Sequence, residues 1–506
     1  MACNESIRVN VGDPDRSQRD RVLGNKTTNQ ELQKVYLEVR CVVVLRVRES
    51  RDTWGRTLGK YTLSRGNVMA STEDAITTET KLKRIAALSV ANPDMVFTHV
   101  IHHINKESLR ACFYELDGKK AIGIDGVDKA NYGENLDENL RDLMSRMERM
   151  AYIPGAVRQV LIPKEGKPGA TRPLGISNLE DKLVQRMMHK VLESIYEPLF
   201  YENSYGFRPG RSCHDAIEAL HAHLSTHEVE TVIDVDLSNY FGSIPQETVL
   251  EIIKKKISDP RLLRYLIRMF KSGLLVDGEL VISDEGLVQG SACSPIIANI
   301  FAHEVIDEWI ETTVKTHCKG EVKMVRYADD IVICCQYNRD AERVKAAFAQ
   351  RLDKYGLKMN EDKTKLVKFS RRQQRQGIKQ ETFDFLGFTF YIGKSRKGFL
   401  LVKVKTIGKR FRSKLKKTND WARSIKNKMP LKQIMKTAAA KTRGHIQYYG
   451  VSHNFKAVED FVYKVTEILF KWLNRRSQRK SFTWEQFQKY LELIKFPKAK
   501  ICHKLF

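Results

Sequence analysis

From about residue 79, apolar residues recur three and four positions apart, in "ETKLKRIAALSVA" (79–91) and "ESLRACFYEL" (107–116). That spacing predicts helices with one buried face. A Gly-punctuated loop, "GKKAIGIDGVD" (118–128), leads into the amphipathic run "ENLDENLRDLMSRMERM". The pattern then changes: "VRQVLIPK" (157–164) reads as a strand and "EGKPGATRPLGI" as a Gly/Pro-rich hairpin. Beyond them the chain predicts a long helix in "NLEDKLVQRMMHKVLESIYEPLF", a loop "SYGFRPGRS", a helix from about His214 to Leu224, and the strand "TVIDVDL" (231–237). Helical segments at about 246–271 and 294–315 lead to a strand–turn–strand in "MVRYADDIVICC" (324–335). "DAERVKAAFAQRLDKYG" is helical, "FDFLGFTFYI" is a strand, and after Ile407 the chain reads as Lys/Arg-rich helices. Residues 1–75 are polar and irregular, a poorly ordered extension with a short strand or helix near 36–47. This alternation predicts an α+β fold with a central mixed or antiparallel sheet, followed by a mainly helical basic domain. A doubly wound α/β fold is disfavoured, because no Gly-rich phosphate loop follows a first strand.

Charge changes this picture more than composition does. The 506 residues carry a net charge of +26, and the segment 395–506 alone holds 29 Lys+Arg against 6 Asp+Glu, or +23. A solvated face mixes both signs, so this one-sided excess points to a phosphate-binding surface and a nucleic-acid partner held with steep salt dependence. No apolar run approaches the roughly 20 residues of a membrane span, so no membrane partner is expected. The nine cysteines form no C-x-x-C pair or Cys/His cluster at zinc spacing, which favours a reducing cytoplasm over a disulfide framework. His102–His103 lack an acidic or Cys partner and read as packing residues, and Cys334–Cys335 read as small buried hydrophobes.

Two acidic clusters sit on predicted strands: "DVDLSNYFGSIP" (234–245) and "YADD" (327–330). Burying an ionised carboxylate costs several kcal/mol, of the order of 2–7 for a polar group, unless a partner compensates it. Asp329–Asp330 is therefore either a tight turn or half of a metal site. Asp is common in turns, but a turn leaves the second cluster unexplained. Asp236 and Asp329, 93 residues apart, are hard oxygen ligands suited to Mg²⁺.

At this point the residues resemble a family. "YADD" preceded by "DVDLSNYF" is similar to the palm of a reverse transcriptase. Further blocks occur in the matching order: "IPKEGKPGATRPLGISNLEDKLVQRMM", "SYGFRPGRSCHDAI", "GLVQGSACSPIIANIFAHEVIDEW", "GLKMNEDKTKL" and "FDFLGFTF". Their wording is closest to the reverse transcriptase/maturases of bacterial group II introns, over roughly residues 80–506. "RGHIQYYG" and "WLNRRSQRKSFTWEQFQKYL" resemble that family's thumb, or maturase (X), domain. The resemblance implies a right-hand polymerase: an N-terminal extension (1–75), a helical region (76–156), fingers and palm (157–394) and a basic helical thumb (395–506).

Carried over by position, Asp236, Asp329 and Asp330 would hold two Mg²⁺ ions, joined by the backbone carbonyl of Leu237. Phe241, five residues after Asp236, falls at the steric-gate position that would exclude a ribose 2′-OH, although ordinary core packing also accounts for it. Arg172, Lys164 and Arg158 lie where the fingers grip the incoming dNTP, and Gln289–Gly290 match the "QG" beside the nucleotide. Arg208 either supports this pocket or forms a structural salt bridge. Tyr448, Tyr449, Arg475 and Arg476 are the candidates for RNA contact. Val288 stands where the family has Pro before "QG", and Gly242 where Asp often follows the gate.

The implied function is RNA-directed DNA synthesis on an RNA template with a DNA primer. A maturase role on group II intron RNA, retromobility into target DNA and a bacterial cytoplasmic location go with it, as a monomer or homodimer. The alternatives are a maturase without polymerase activity and a domesticated reverse transcriptase. The stretch after the thumb block holds no paired Cys or clustered His, so no HNH endonuclease, and no second-strand DNA cleavage, is expected.

Overall fold

A computed structural model describes residues 65–506 apart from 164–168, 170 and 477–481. The predicted element at 36–47 and Lys164 lie outside the described residues. The contacts divide the chain into Met1–Met69 and Ala70–Phe506, and the description below concerns the second unit.

Its centre is a sheet of five strands: β3 (Thr231–Ser238), β6 (Val322–Tyr327), β7 (Asp330–Cys335), β8 (Lys358–Met359) and β9 (Lys365–Lys368). Their order is β6–β7–β3–β8, with β9 also pairing β3, and every pairing is antiparallel. Both faces of this sheet are covered. Ile233, Val235, Met324, Ile331 and Ile333 join one core, which surrounds the helix Leu179–Tyr196. Val232, Val325, Val332, Cys334 and Val367 join a second, beneath the helix Cys213–Thr226. Two covered faces explain why "IVICC" is continuously apolar rather than alternating, although the strands are antiparallel. Cys334 and Cys335 are fully buried there, as small hydrophobes.

A second sheet runs β2–β1–β4–β5, from β1 (Val157–Pro163), β2 (Thr171–Ile176), β4 (Leu274–Val276) and β5 (Glu279–Val281). The predicted helix at 246–271 is two, Gln246–Lys254 and Pro260–Phe270. Pro260 starts the second, and Asp259 caps it through Arg261 N and Leu262 N, as Pro at a first helical position does. The region 294–317 winds partly as π-helix, at His303–Asp307 and Ile310–Val314.

A third sheet joins β10 (Phe383–Phe385), β11 (Phe388–Lys394) and β12 (Leu400–Thr406). The expected boundary at 394/395 therefore falls inside a hairpin, since β11 and β12 pair along their whole lengths. The break in composition there is real, but Val402 and Val404 are buried and close the core shared with the central sheet. Four helices follow: Gly408–Ile425, Leu431–Tyr449, Phe455–Leu473 and Trp484–Leu493. Ile434, Phe461, Val465, Leu469 and Phe487 form much of their own core.

Candidate active site

β3 pairs β7 so that Asp236 stands directly opposite Asp330. Asp329 is the second residue of the two-residue turn between β6 and β7, so the antiparallel register brings both acidic clusters to one end of one sheet. Side chains alternate faces along a strand, which puts Asp234, Asp236 and Asp330 on the same side. The apolar run stops where the carboxylates begin, and Asp330 reaches solvent while Val332 and Cys334 are buried. Solvent at the sheet end lowers the cost of placing acids in an apolar strand without removing it.

The turn is held from behind. Ala328 has φ 56°, a left-handed backbone that ordinary residues rarely adopt and that suits a tight hairpin. Arg326, one strand residue before Tyr327, is fully buried and grips Asp307 through Nε (2.7 Å) and Nη2 (2.5 Å). It also donates to Asn299 Oδ1, to Ser204 Oγ and to the carbonyl of Ala328 itself. A planar guanidinium serves all these acceptors at once, which an ammonium cannot. Gly206 lies against the other side of the turn: a Cβ there would meet the Ala328 nitrogen at 2.3 Å.

The acids are only partly compensated on the open side. Asp330 is pushed up to about 6, by the protein atoms crowding its carboxyl and then by Asp329, while Arg410 works against the shift. Asp234 is pushed up to about 7, by burial first and then by Asp384 and Asp330. Lys363 Nζ reaches Asp236 Oδ1 at 3.2 Å, in a half-exposed pair. An all-oxygen donor set with an excess of negative charge fits a hard divalent cation.

Phe241 is half-buried, edge-on to Phe207 with ring centroids 6.2 Å apart. Its carbonyl accepts from Leu287 N at 2.7 Å, which ties it to the segment that carries Gln289 and Gly290. That segment docks on β2, where Gly175 N donates to the Gln289 carbonyl and Gly290 has φ 113°. Arg172 on β2 and Arg158 on β1 are both exposed, although Arg158 Nη2 donates to the Ile122 carbonyl at 2.7 Å.

Arg208 settles as structural: its guanidinium binds Glu197 and the carbonyls of Tyr201 and Ser204. Tyr449, a candidate for RNA contact, is only 2% exposed, packed against Phe388 and His445. Its place one turn beyond the buried His445 and Ile446 turns it inward. Tyr448 is half-buried, and its hydroxyl donates to the Leu386 carbonyl. Arg475 is exposed and lies over Trp472, a ring also approached by Arg423, Lys426 and Lys471. Arg476 donates weakly to the Met429 carbonyl. Sequence reading missed Arg326, Phe207, Lys363 and, around Trp472, the companions of Arg475: Arg423, Lys426 and Lys471.

A mixed α+β core whose antiparallel sheet carries acids at a hairpin tip and on the neighbouring strand defines a polymerase of the palm-like class. The comparisons specify it further. Residues 162–390 match the family "Reverse transcriptase (RNA-dependent DNA polymerase)". "Protein YkfC" of Escherichia coli (strain K12) is 32% identical over 56% of this chain and 80% of its own length. "Group II intron-encoded protein LtrA" of Lactococcus lactis is 30% identical over 44% of this chain. "Uncharacterized 91 kDa protein in cob intron" of Schizosaccharomyces pombe is 28% identical over 65% of it. The chain belongs to the reverse transcriptase family. The match covers only 37% of LtrA and 47% of the 91 kDa protein.

Proposed function

We propose that the chain is an RNA-directed DNA polymerase that also binds group II intron RNA as a maturase. The observation that carries the polymerase reading is the register that sets Asp236 opposite Asp330 beside the Asp329 turn. In this reading the central sheet is the palm, the β2–β1–β4–β5 sheet with the preceding helices is the fingers, and the basic helices after β12 are the thumb. A divided chain of 1–75, 76–156, 157–394 and 395–506 is kept as a functional partition, with the β11–β12 hairpin bridging the last boundary.

Asp236, Asp329 and Asp330, with the Leu237 carbonyl, would hold two Mg²⁺ ions. When bound, such ions activate the primer 3′-hydroxyl and stabilise the leaving oxygen of an in-line displacement. The protein's own part is positioning. Arg326 and Gly206 fix the turn, so the Asp329 and Asp330 carboxylates need no reorganisation when they take up charge. Arg172, Lys164 and Arg158 would balance the triphosphate of the dNTP. Phe241, braced by Phe207, would meet a ribose 2′-OH, and Gln289–Gly290 would line the nucleotide from the β2 side. The cations around Trp472 and the +23 segment would hold the RNA template with its DNA primer, the intron RNA and the target DNA by their backbones.

Primer extension on an RNA template with dNTPs and Mg²⁺ tests the proposal. Extension by the wild type that vanishes in Asp329→Asn supports it. Absence of extension by the wild type, or equal extension by the variant, refutes it.

A further inference from the structure

Away from the acidic cluster, the end of the helix Cys213–Thr226 meets the start of β6. His223, in the last turn, and His227, the capping residue, stack their rings with centroids 4.5 Å apart and 20° between planes. Glu321, one residue before β6, brings Oε1 to 3.8 Å from His223 Nδ1 and 3.7 Å from His227 Nε2. All three donor atoms lie within 4.8 Å of one another. The polymerase reading uses none of them.

The hydrogen bonding around His227 decides what its ring offers. Thr226 Oγ1 donates its single proton to the Ala222 carbonyl at 2.8 Å. Its 2.7 Å contact with His227 Nδ1 therefore has the imidazole as donor. In the tautomer that carries its proton on Nδ1, His227 turns the Nε2 lone pair to Glu321, and a ring lone pair and a carboxylate oxygen that face each other need a bridge between them: a proton, a water molecule or a metal ion. An imidazole held through its far nitrogen by an outer hydrogen-bond partner is the usual arrangement of a metal ligand. His223 is buried, away from competing solvent.

We propose that His223 Nδ1, His227 Nε2 and Glu321 Oε1 form a site for one Zn²⁺-like ion, completed by water, that ties the helix end to β6. Ligands about 2.0–2.2 Å from a tetrahedral ion lie about 3.3 Å apart, so the carboxylate contacts of 3.8 and 3.7 Å close by about 0.4–0.5 Å and the two imidazole nitrogens, within 4.8 Å of each other, by up to about 1.5 Å. Two imidazoles and one carboxylate suit Zn²⁺, Co²⁺ or Ni²⁺ and not the oxygen-seeking Mg²⁺. Lys323 and Lys315, close enough to act on the His223 ring, oppose any cation here, so binding has to come from the direct nitrogen and carboxylate bonds. The tie is structural. β6 runs from this site to the catalytic turn, and at the other end of the same helix Cys213 packs against the second core, as Tyr327 does.

The test is a Co²⁺ titration of the full metal-stripped chain, read by the visible bands of four-coordinate Co²⁺. The expected result is about one equivalent with intense bands, displaced by Zn²⁺. His227→Ala and Glu321→Gln, both surface changes, should each weaken it by about tenfold or more. An Asp329→Asn/Asp330→Asn variant should keep the bands, which separates this ion from any at the acidic cluster. Wild-type chain without such bands, or a His227→Ala titration equal to that of the wild type, would show that the cluster holds no metal ion.

Discussion

Replacing Arg326 by Met removes a charge that has no access to water and leaves its partner in place. Asp307 is fully buried, and its two carboxylate oxygens accept from Arg326 at 2.7 and 2.5 Å. Stranding one member of such a pair costs about 3–5 kcal/mol. The Asn299, Ser204 and Ala328 acceptors lose a donor as well, so the upper end of that range applies. Against a typical domain stability of about 5–15 kcal/mol, this is a third of the total or more. Because the chain has several cores, the proper assay is hydrogen exchange of the β6–β7 amides in increasing urea. Arg326→Met should lower their opening free energy by about 5 kcal/mol. The double variant Arg326→Met/Asp307→Leu should recover much of the loss, since no charge is then left buried. Arg326→Lys should not rescue, because one ammonium cannot span both Asp307 oxygens and the turn carbonyl. A loss under about 1 kcal/mol in the single variant, or an equal loss in the double, would show that the pair does not hold the turn.

Three further outcomes follow from the same geometry. Phe241→Ala should reduce discrimination against rNTPs by roughly 10- to 200-fold, the span of a single packing contact. Unchanged sugar selectivity in competitive single-nucleotide extension would remove the gate assignment. Asp330→Asn should abolish extension yet stabilise the metal-free chain by roughly 1 kcal/mol at pH 7, after allowance for solvent screening. The sign comes from its raised folded-state pKa, about 6 against 3.8: the native state binds the extra proton, so stability is lost as pH rises through that window. The gain should therefore disappear at pH 4, and a thermal-melt comparison at the two pH values checks it. Arg475→Ala should weaken RNA binding and lower the slope of log affinity against log salt by about 1, as loss of one phosphate contact requires. An unaltered slope in filter binding would place the RNA elsewhere.

What could be read from the residues depended on the range of the interaction. β3, β6 and β7 were legible because apolar runs of strand length that end on acids leave little choice of element. The Phe241 offset was legible because it is counted along one strand and turn. Arg326–Asp307 was not, since its partner lies 19 residues upstream on a π-helical turn that shifts a side chain off the 3.6-residue face. Lys363 reaches Asp236 only because β8 and β9 fold back on β3. Tyr449 was misplaced despite an available signal: Thr442, His445, Ile446 and Tyr449 follow the spacing of a buried helical stripe. Composition suggested a boundary at 395, but it records where charge begins, whereas β12 belongs to the hairpin that precedes it.

The central claim is that DNA synthesis and intron RNA binding reside in different parts of one chain, the acidic sheet end and the basic helices. The most direct measurement takes wild type and Asp329→Asn/Asp330→Asn from matched preparations, and reads primer extension and affinity for a group II intron RNA side by side. Extension lost from the variant, with RNA affinity within about twofold of wild type, is the predicted result. Loss of both together, or retention of both, would contradict that separation.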